Sequence, residues 1–256
     1  MRSSPAVTIL VLSCRLPARA SWLTPGGGNG VLRQLELAGI TSDSLSALYL
    51  THAHTDHVLG AVWVVRAIAQ RMRAGKHGGT FHVYGHDRVL HVLDTICRLT
   101  LPAKVTSCIG ERILFHEVKD GDCVHIGDVE LLCFDIRSTK EKQFGFRATL
   151  PDSRTLVCLG DELHEACRAH VEGADWLLSE AFCLYRDRDT FKPYEKHHST
   201  ALDAGRLAGQ LGVKNLLLYH TEDTDLPHRK TLYTAEAAQA FSGCVFVPDD
   251  LERVRL

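Results

Sequence analysis

The sequence predicts an α/β fold in which two β-sheets pack face to face with helices outside them. Three observations predict it. Strand-length apolar runs occur both early and late in the chain, segments with helical periodicity lie between them, and the candidate chemistry sits where strands end. Hydrophobic residues make up 45% and charged residues 23% of the 256 positions, an ordinary globular mixture able to bury a substantial core. No repeat, low-complexity stretch or linker divides the chain, so it reads as one domain.

At the N-terminus, the apolar run Val7–Leu12 reads as a β-strand. The competing reading, a short export or lipoprotein signal ending near Cys14, is weaker because the run is short and Arg15 and Arg19 follow at once. Gly26-Gly27-Gly28-Asn29-Gly30 predicts a tight loop into a short helix with Val31, Leu32 and Leu35 on one face. A buried strand follows at Ala47–Thr51, then a helix carrying Val58, Leu59, Val62, Val65, Ile68 and Met72 at helical spacing. Next come a strand at Phe81–Tyr84 and a helix from Arg88 to Leu99. Ile113 to Leu150 reads as strands divided by turns at Asp120-Gly121 and Gly127-Asp128, and Thr155–Leu159 as a further strand. The last third alternates: strand Trp176–Leu178, helix Ser199–Leu211, strand Leu216–Tyr219, helix Thr234–Phe241 and strand Val245–Val247.

A formal net charge of −2 excludes a global basic field that would draw the chain to nucleic acid or membrane, although a local basic groove stays compatible with it. Nine cysteines, none in a Cys-x-x-Cys pair, point to reduced thiols and a cytoplasmic location. Cys133, inside an apolar run, reads as a small core residue. No stretch is long enough to span a membrane, so no membrane partner is expected.

The chemistry is concentrated in Thr51-His52-Ala53-His54-Thr55-Asp56-His57, between a buried strand and an amphipathic helix. A zinc-like ion takes neutral imidazole and carboxylate ligands at about 2.0–2.2 Å. His52 and His54 are two apart, so in an extended loop both can face one ion. Asp56 and His57 lie where the chain turns into a helix and can face a second. Two ions about 3.5–4 Å apart activate water and polarise a phosphoryl or carbonyl oxygen.

These residues resemble the signature of the metallo-β-lactamase superfamily, and specifically its ribonuclease Z-like branch. The similarity continues through Lys142–Arg147, Gly160-Asp161, Ser179-Glu180-Ala181, His198-Ser199-Thr200 and Tyr219-His220, in order, over roughly residues 26 to 256. The resemblance implies a metallo-β-lactamase-like αββα sandwich with two mixed sheets. It implies that Asp161 bridges two metals and that His220 completes the site begun by Asp56 and His57. It further implies that His198, oriented by Glu180, donates a proton to the leaving oxygen, a task suited to a histidine beside a carboxylate. His197 is left as a surface residue. The metal set is thus His52, His54, Asp56, His57, Asp161 and His220, with Asp56, His198 and Glu180 in catalysis. The cofactor is a divalent ion, Zn²⁺ first, with Mn²⁺ or Fe²⁺ also suited, one or two per chain. The partner is a phosphodiester, RNA or smaller, and a homodimer is compatible with the sequence.

Three departures from the branch pattern qualify the expectation. Arg137 stands where a further histidine ligand is expected, and a guanidinium offers no lone pair. The site of Asp56, His57, Asp161 and His220 should therefore fill more readily than the one begun by His52 and His54. Either Arg137 turns away or binds phosphate, or the chain is a degenerate member that binds one metal or a phosphate ligand without turnover. Residues 1–25 look atypical, a reduced first strand with Thr24-Pro25 where Asp-Ala is expected, ahead of a hydrolase domain at 26–256. Finally, no long Gly- and Pro-rich insertion of the kind that grips transfer RNA is present, and Arg71, Arg73 and Lys76 read as a solvated helix face. The expected function is a metal-dependent phosphodiesterase, acting on an RNA 3′ end or on a small nucleotide or cyclic phosphodiester.

Overall fold

The computed structural model describes residues 12–15, 20–23, 30–162 and 165–256. A short antiparallel pair, β1 (Leu12–Arg15) and β2 (Ala20–Leu23), opens the chain. The strand expected at Val7–Leu12 lies, except for Leu12, outside the described residues, as does most of the glycine loop. Helix α1 (Val31–Leu37) follows Gly30, whose positive φ of 89° suits a residue without a Cβ.

The first half then alternates strand and helix: β3 (Ala47–Tyr49), α2 (Thr55–Arg73), β4 (Phe81–Gly85), α3 (Asp87–Thr100), the short α4 (Ala103–Thr106) and β5 (Ile113–Glu117). Strands β3, β4 and β5 pair in parallel, because each consecutive pair is joined by a helical crossover. Among the described residues this three-stranded sheet is parallel throughout. In the second half, β6 (Cys123–Ile126), β7 (Val129–Asp135), β8 (Phe144–Thr149) and β9 (Thr155–Cys158) run antiparallel. The short α5 (Arg168–Val171), β10 (Trp176–Glu180), the short α6 (Arg188–Phe191), α7 (Ala201–Gln210), β11 (Asn215–Tyr219), α8 (Leu226–Ala237) and β12 (Cys244–Phe246) complete the chain. Strands β9 to β12 pair in parallel, giving a seven-stranded mixed sheet.

Period-2 alternation sorts these strands into layers. Tyr49, Leu131, Cys133, Phe144, Phe146, Leu156, Cys158, Leu178, Leu217 and Tyr219 fill the space between the sheets. Their neighbours Val157, Leu177, Leu216 and Leu218 face Ala204, Leu207, Ala208, Tyr233 and Ala237 on α7 and α8. On the other side, Leu48, Leu50, Phe81, Val83 and Ile113 pack on Val58, Val65, Ile68, Val89 and Leu93 of α2 and α3. Three cores between four layers make the αββα sandwich.

Two helices differ from the sequence reading. The last one starts at Leu226 rather than Thr234, since Pro227 near its N-terminus supplies a preset φ and no N–H that needs a partner. Phe241, read as its end, lies past it but is buried in the helix-side core. Helix α7 starts at Ala201, where Thr200 and Asp203 form a reciprocal capping box. Cys97, Cys108, Cys123, Cys133, Cys158, Cys167, Cys183 and Cys244 are free, and Cys133 is fully buried as expected. The basic end of α2 is committed to the fold: Arg71 pairs with Asp43, and Arg73 donates to the Lys104 carbonyl at 2.9 Å.

Gly145 in β8 is a packing glycine. A Cβ there would lie 2.6 Å from the Cys158 carbonyl oxygen and 2.7 Å from the Phe134 ring, so the two neighbouring strands leave no room. Gly145→Ala is expected to destabilise the fold by about 1–3 kcal/mol. Gly78→Ala, into open space at ordinary φ, should stay within about 0.5 kcal/mol. Urea unfolding of both variants checks this, and equal midpoints would refute the packing argument.

Candidate functional site

Each loop that carries candidate chemistry leaves the C-terminal end of a strand: β3, β9, β10 or β11. Past β3, the Leu50 N–H donates to the Tyr84 carbonyl (2.9 Å), and the Thr51 carbonyl accepts from Phe144 N–H (3.0 Å), which ties the loop to both sheets. His54 then caps α2 with extended backbone (ψ 155°), so Asp56 falls in the first helical turn, where the helix dipole favours a carboxylate.

Asp161 follows β9 after Gly160, whose φ of 72° favours glycine and where a Cβ would lie 2.9 Å from Gln143 Oε1. Gln143, fully buried, accepts from the Asp161 N–H at 3.2 Å, and the Tyr219 hydroxyl donates to the Gly160 carbonyl. Residue 161 is thus fixed by contacts from β8 and β11. His220 follows β11 with φ 55°, a left-handed turn that histidine adopts more readily than most residues.

The structure brings Asp56, His57, Asp161 and His220 together. His57 Nε2 lies 2.6 Å from Asp161 Oδ2 and 3.4 Å from Asp56 Oδ2. His220 Nε2 lies 3.4 Å and 3.5 Å from the same two oxygens. All four donor atoms fall within 4.8 Å of one another. His52 is adjacent, its Nε2 3.7 Å from Asp161 Oδ2 and 3.0 Å from His54 Nδ1. His52 and His54 do not join Asp161 in a mutually close trio among the described residues.

The electrostatics follow from burial of two carboxylates among imidazoles. Burial works against charge on Asp161, yet His220 and His57 outweigh it and hold its carboxyl far below the ordinary range. Burial likewise opposes ionisation of Asp56, and hydrogen bonding to His220 and His57 reverses it. His57 is pushed up to about 10, because Asp161 and Asp56 outweigh its own burial. His52 goes the other way: burial, then His57, holds it well below its usual value, and burial, then Lys140, lowers His54. Both are therefore neutral imidazoles near neutral pH, the form a metal requires.

These residues fit a divalent cation. Two carboxylates and two imidazoles converge on one volume, and buried Asp161 Oδ1, His57 Nδ1 and His220 Nδ1 have no hydrogen-bond partner. A divalent ion is the partner that neutralises both carboxylates at once.

A second cluster shares His220: Glu180, His198 and His220. Glu180 is buried, its Oε1 accepting from Ser199 N–H at 2.6 Å and its Oε2 lying 3.5 Å from His198 Nδ1. The His198 ring stacks 4.9 Å from Phe182 and 5.1 Å from His220. Thr200 caps α7, while His198 lies beside Glu180 and His220. His197 is exposed and pairs with Thr139 at 2.9 Å.

Arg137 does not lie beside the cluster. Its side chain is 66% exposed and reaches Asp120 at 3.4 Å, the turned-away alternative among the sequence expectations. Asp120 on the neighbouring turn supplies the attraction, and a left-handed φ of 62° breaks the extended path of the chain at this residue. The cation that does approach is Lys140, whose Nζ lies 3.4 Å from His198 Nε2. Sequence reasoning missed Lys140, Gln143 and Phe182. Gln143 lies within a segment that carries the family similarity, while Lys140 and Phe182 meet the site through loop contacts that no spacing encodes.

Comparison with known proteins gives the family and the fold. The family described as "Beta-lactamase superfamily domain" matches residues 26–221. Ribonuclease Z of Bradyrhizobium sp. (strain ORS 278) is 26% identical over 242 residues, covering 75% of this chain and 77% of that protein. Among solved structures, the metallo-β-lactamase fold protein YhfI from Bacillus subtilis aligns with a TM-score of 0.74 at 22% identity, over 92% of this chain and 87% of that one. The short form of human tRNase Z aligns with a TM-score of 0.68 at 17% identity, over 96% and 91%.

The geometry separates two substitutions. Asp161→Asn should lose most of the divalent metal bound by the parent, whereas Arg137→Ala should keep the parent's stoichiometry. Elemental analysis of protein purified without added metal checks both, and parent-level metal in Asp161→Asn would sink this reading of the cluster.

Proposed function

The chain belongs to the β-lactamase superfamily, and from that premise we propose that it is a metal-dependent phosphodiesterase resembling ribonuclease Z. The observation that carries the reading is the Glu180–His198 pair beside the carboxylate–histidine cluster. It supports a proton donor poised next to a cation site, the combination that cleavage of a phosphodiester with a poor leaving group requires.

In this reading Asp56, His57, Asp161 and His220 hold the principal ion, Asp161 also faces a weaker position at His52 and His54, and zinc is the first choice of metal. The ion supplies Lewis acidity that activates water and polarises a phosphoryl oxygen. Glu180 Oε2 faces Nδ1 of His198 at 3.5 Å, and Nε2 is the nitrogen left to deliver a proton to the departing oxygen. Phe182 stacked on the ring limits its rotation. The side chain of His198 is 13% exposed, which leaves it open to a leaving group arriving from outside.

The name of the Bradyrhizobium relative favours RNA as substrate. The arginines at the end of α2 favour a smaller phosphodiester, such as a nucleotide or cyclic diester, because Arg71 and Arg73 are already engaged within the fold. No helix among the described residues is long and apolar enough to cross a membrane. The buried free thiols support a reducing cytoplasm. The extent of the family match supports a hydrolase domain beginning near residue 26.

One observation favours the second reading, a member that binds metal without turnover: the position of the missing histidine ligand is occupied by Arg137, which points away. Turnover decides between them. Metal-loaded protein should hydrolyse bis(p-nitrophenyl) phosphate, and His198→Ala should lower kcat for an RNA or cyclic-nucleotide substrate by about 10²–10⁴-fold with unchanged metal content. Absence of hydrolysis of any of these by metal-loaded protein leaves the non-catalytic reading.

A further inference from the structure

The loop between β7 and β8 carries three consecutive charges, Lys140, Glu141 and Lys142. Two are matched by the N-terminus of α3: Arg88 bonds Glu141 at 2.5 Å and Lys142 bonds Asp87 at 2.5 Å. Lys140 is different. No carboxylate lies within ion-pair distance of it among the described residues; its Nζ is held by the Lys196 carbonyl at 3.2 Å and by His198 Nε2 at 3.4 Å. Its charge reaches His54, where after burial it is the next largest influence lowering the imidazole. The ammonium therefore lies beside His198, a member of the cluster with Glu180 and His220.

The loop is braced to keep it there. Ser138 Oγ accepts from the Lys140 N–H at 3.4 Å and from Gln143 Nε2 at 3.5 Å. Gln143 in turn accepts from the Asp161 N–H. The loop that presents Lys140 is thus hydrogen-bonded to the residue at the centre of the cluster.

Charge counting gives this placement a purpose. One divalent ion balances Asp56 and Asp161 and leaves nothing for an incoming anion. With Arg137 turned to Asp120, Lys140 is a cation with no carboxylate partner among the described residues whose Nζ lies beside His198, while Lys196 Nζ sits over the Phe182 ring at 4.9 Å. We propose that Lys140 binds a non-bridging oxygen of the substrate phosphoryl group, supplying in a centre with one tightly held ion the positive charge that a second ion would otherwise bring. The proposal rests on the phosphodiesterase reading. A lysine suits the role as a compact point charge with rotatable donors, and the bond to His198 Nε2 is one that an arriving phosphoryl oxygen displaces, leaving the Nε2 lone pair free to take up from solvent the proton that it passes to the departing oxygen.

The test uses the metal-loaded full chain and the variants Lys140→Met and Lys140→Arg, with inorganic phosphate as the binding probe. Lys140→Met is expected to bind phosphate at least tenfold more weakly by calorimetry and to lose about 10²–10³-fold in kcat/KM on bis(p-nitrophenyl) phosphate. Lys140→Arg should keep most of the phosphate binding, and both should hold the parent's metal. Parent-level phosphate affinity in Lys140→Met, or no phosphate binding by the parent, overturns the proposal. Lysine-dependent phosphate binding in a parent that hydrolyses no phosphodiester would support the anion site while rejecting the phosphodiesterase reading.

Discussion

Asp161 is a buried carboxylate with His57, His220 and His52 around it. Taking such a group out of water costs several kcal/mol unless charge and hydrogen bonds replace the solvent. The replacements come from both halves of the chain: His52 and His57 from the loop and helix after β3, His220 from the end of β11, and the Gln143 side chain from the start of β8. The two sheets are therefore joined at this edge by electrostatics as well as by the apolar layer between them. A cation here would act on folding and on chemistry together, since the same carboxylates that hold it would otherwise repel each other.

The rest of the architecture serves that convergence. Tyr49 and Tyr219 both lie in the inter-sheet layer, and each spends its hydroxyl on a backbone carbonyl, of Gly145 and Gly160 respectively. Gly145 admits the close packing of β8 on its neighbours, and Gly160 turns the chain so that Asp161 faces inward. The helices outside contribute less to position than to burial, with one exception. The capping box of α7 fixes Thr200, and Glu180 takes the Ser199 N–H, so the residues after His198 are anchored while its ring packs between Phe182 and His220.

How much of this was legible depends on how far apart the participants lie in sequence. The segment from His52 to His57 is contiguous, and its spacing alone pointed to a cation site. The strands were readable because period-2 alternation separates Leu216 and Leu218 from Leu217 and Tyr219. Asp161, Glu180, His198 and His220 came into view only through resemblance to a known family, since each is a single polar residue at a strand or loop end. Lys140 was not legible at all. It meets His198 across 58 positions through a loop whose path depends on Ser138 and Gln143, and in sequence it looks like part of a solvated charge run. Arg137 was read as a lost ligand from the family resemblance; its direction depends on a left-handed φ and on Asp120, neither of which the local sequence announces.

The backbone strain has a pattern that bears on function. Three of the non-glycine residues with positive φ, Arg137, His197 and His220, lie in the loops around the cluster. Such conformations cost about 1–3 kcal/mol each and persist only where surrounding contacts enforce them. At His220 the reason is geometric. Leu216 and Leu218 face the helices, so a regular continuation of β11 would send residue 220 to the same side; the left-handed turn breaks the alternation and brings the imidazole to the strand end beside Asp56 and Asp161. At His197 the turn precedes His198 and lets that ring lie against Phe182 while His197 itself bonds Thr139 outside. At Arg137 the turn coincides with the guanidinium's escape to Asp120, after which the same loop returns Lys140 to His198. The strain is thus spent on aiming side chains around the cluster.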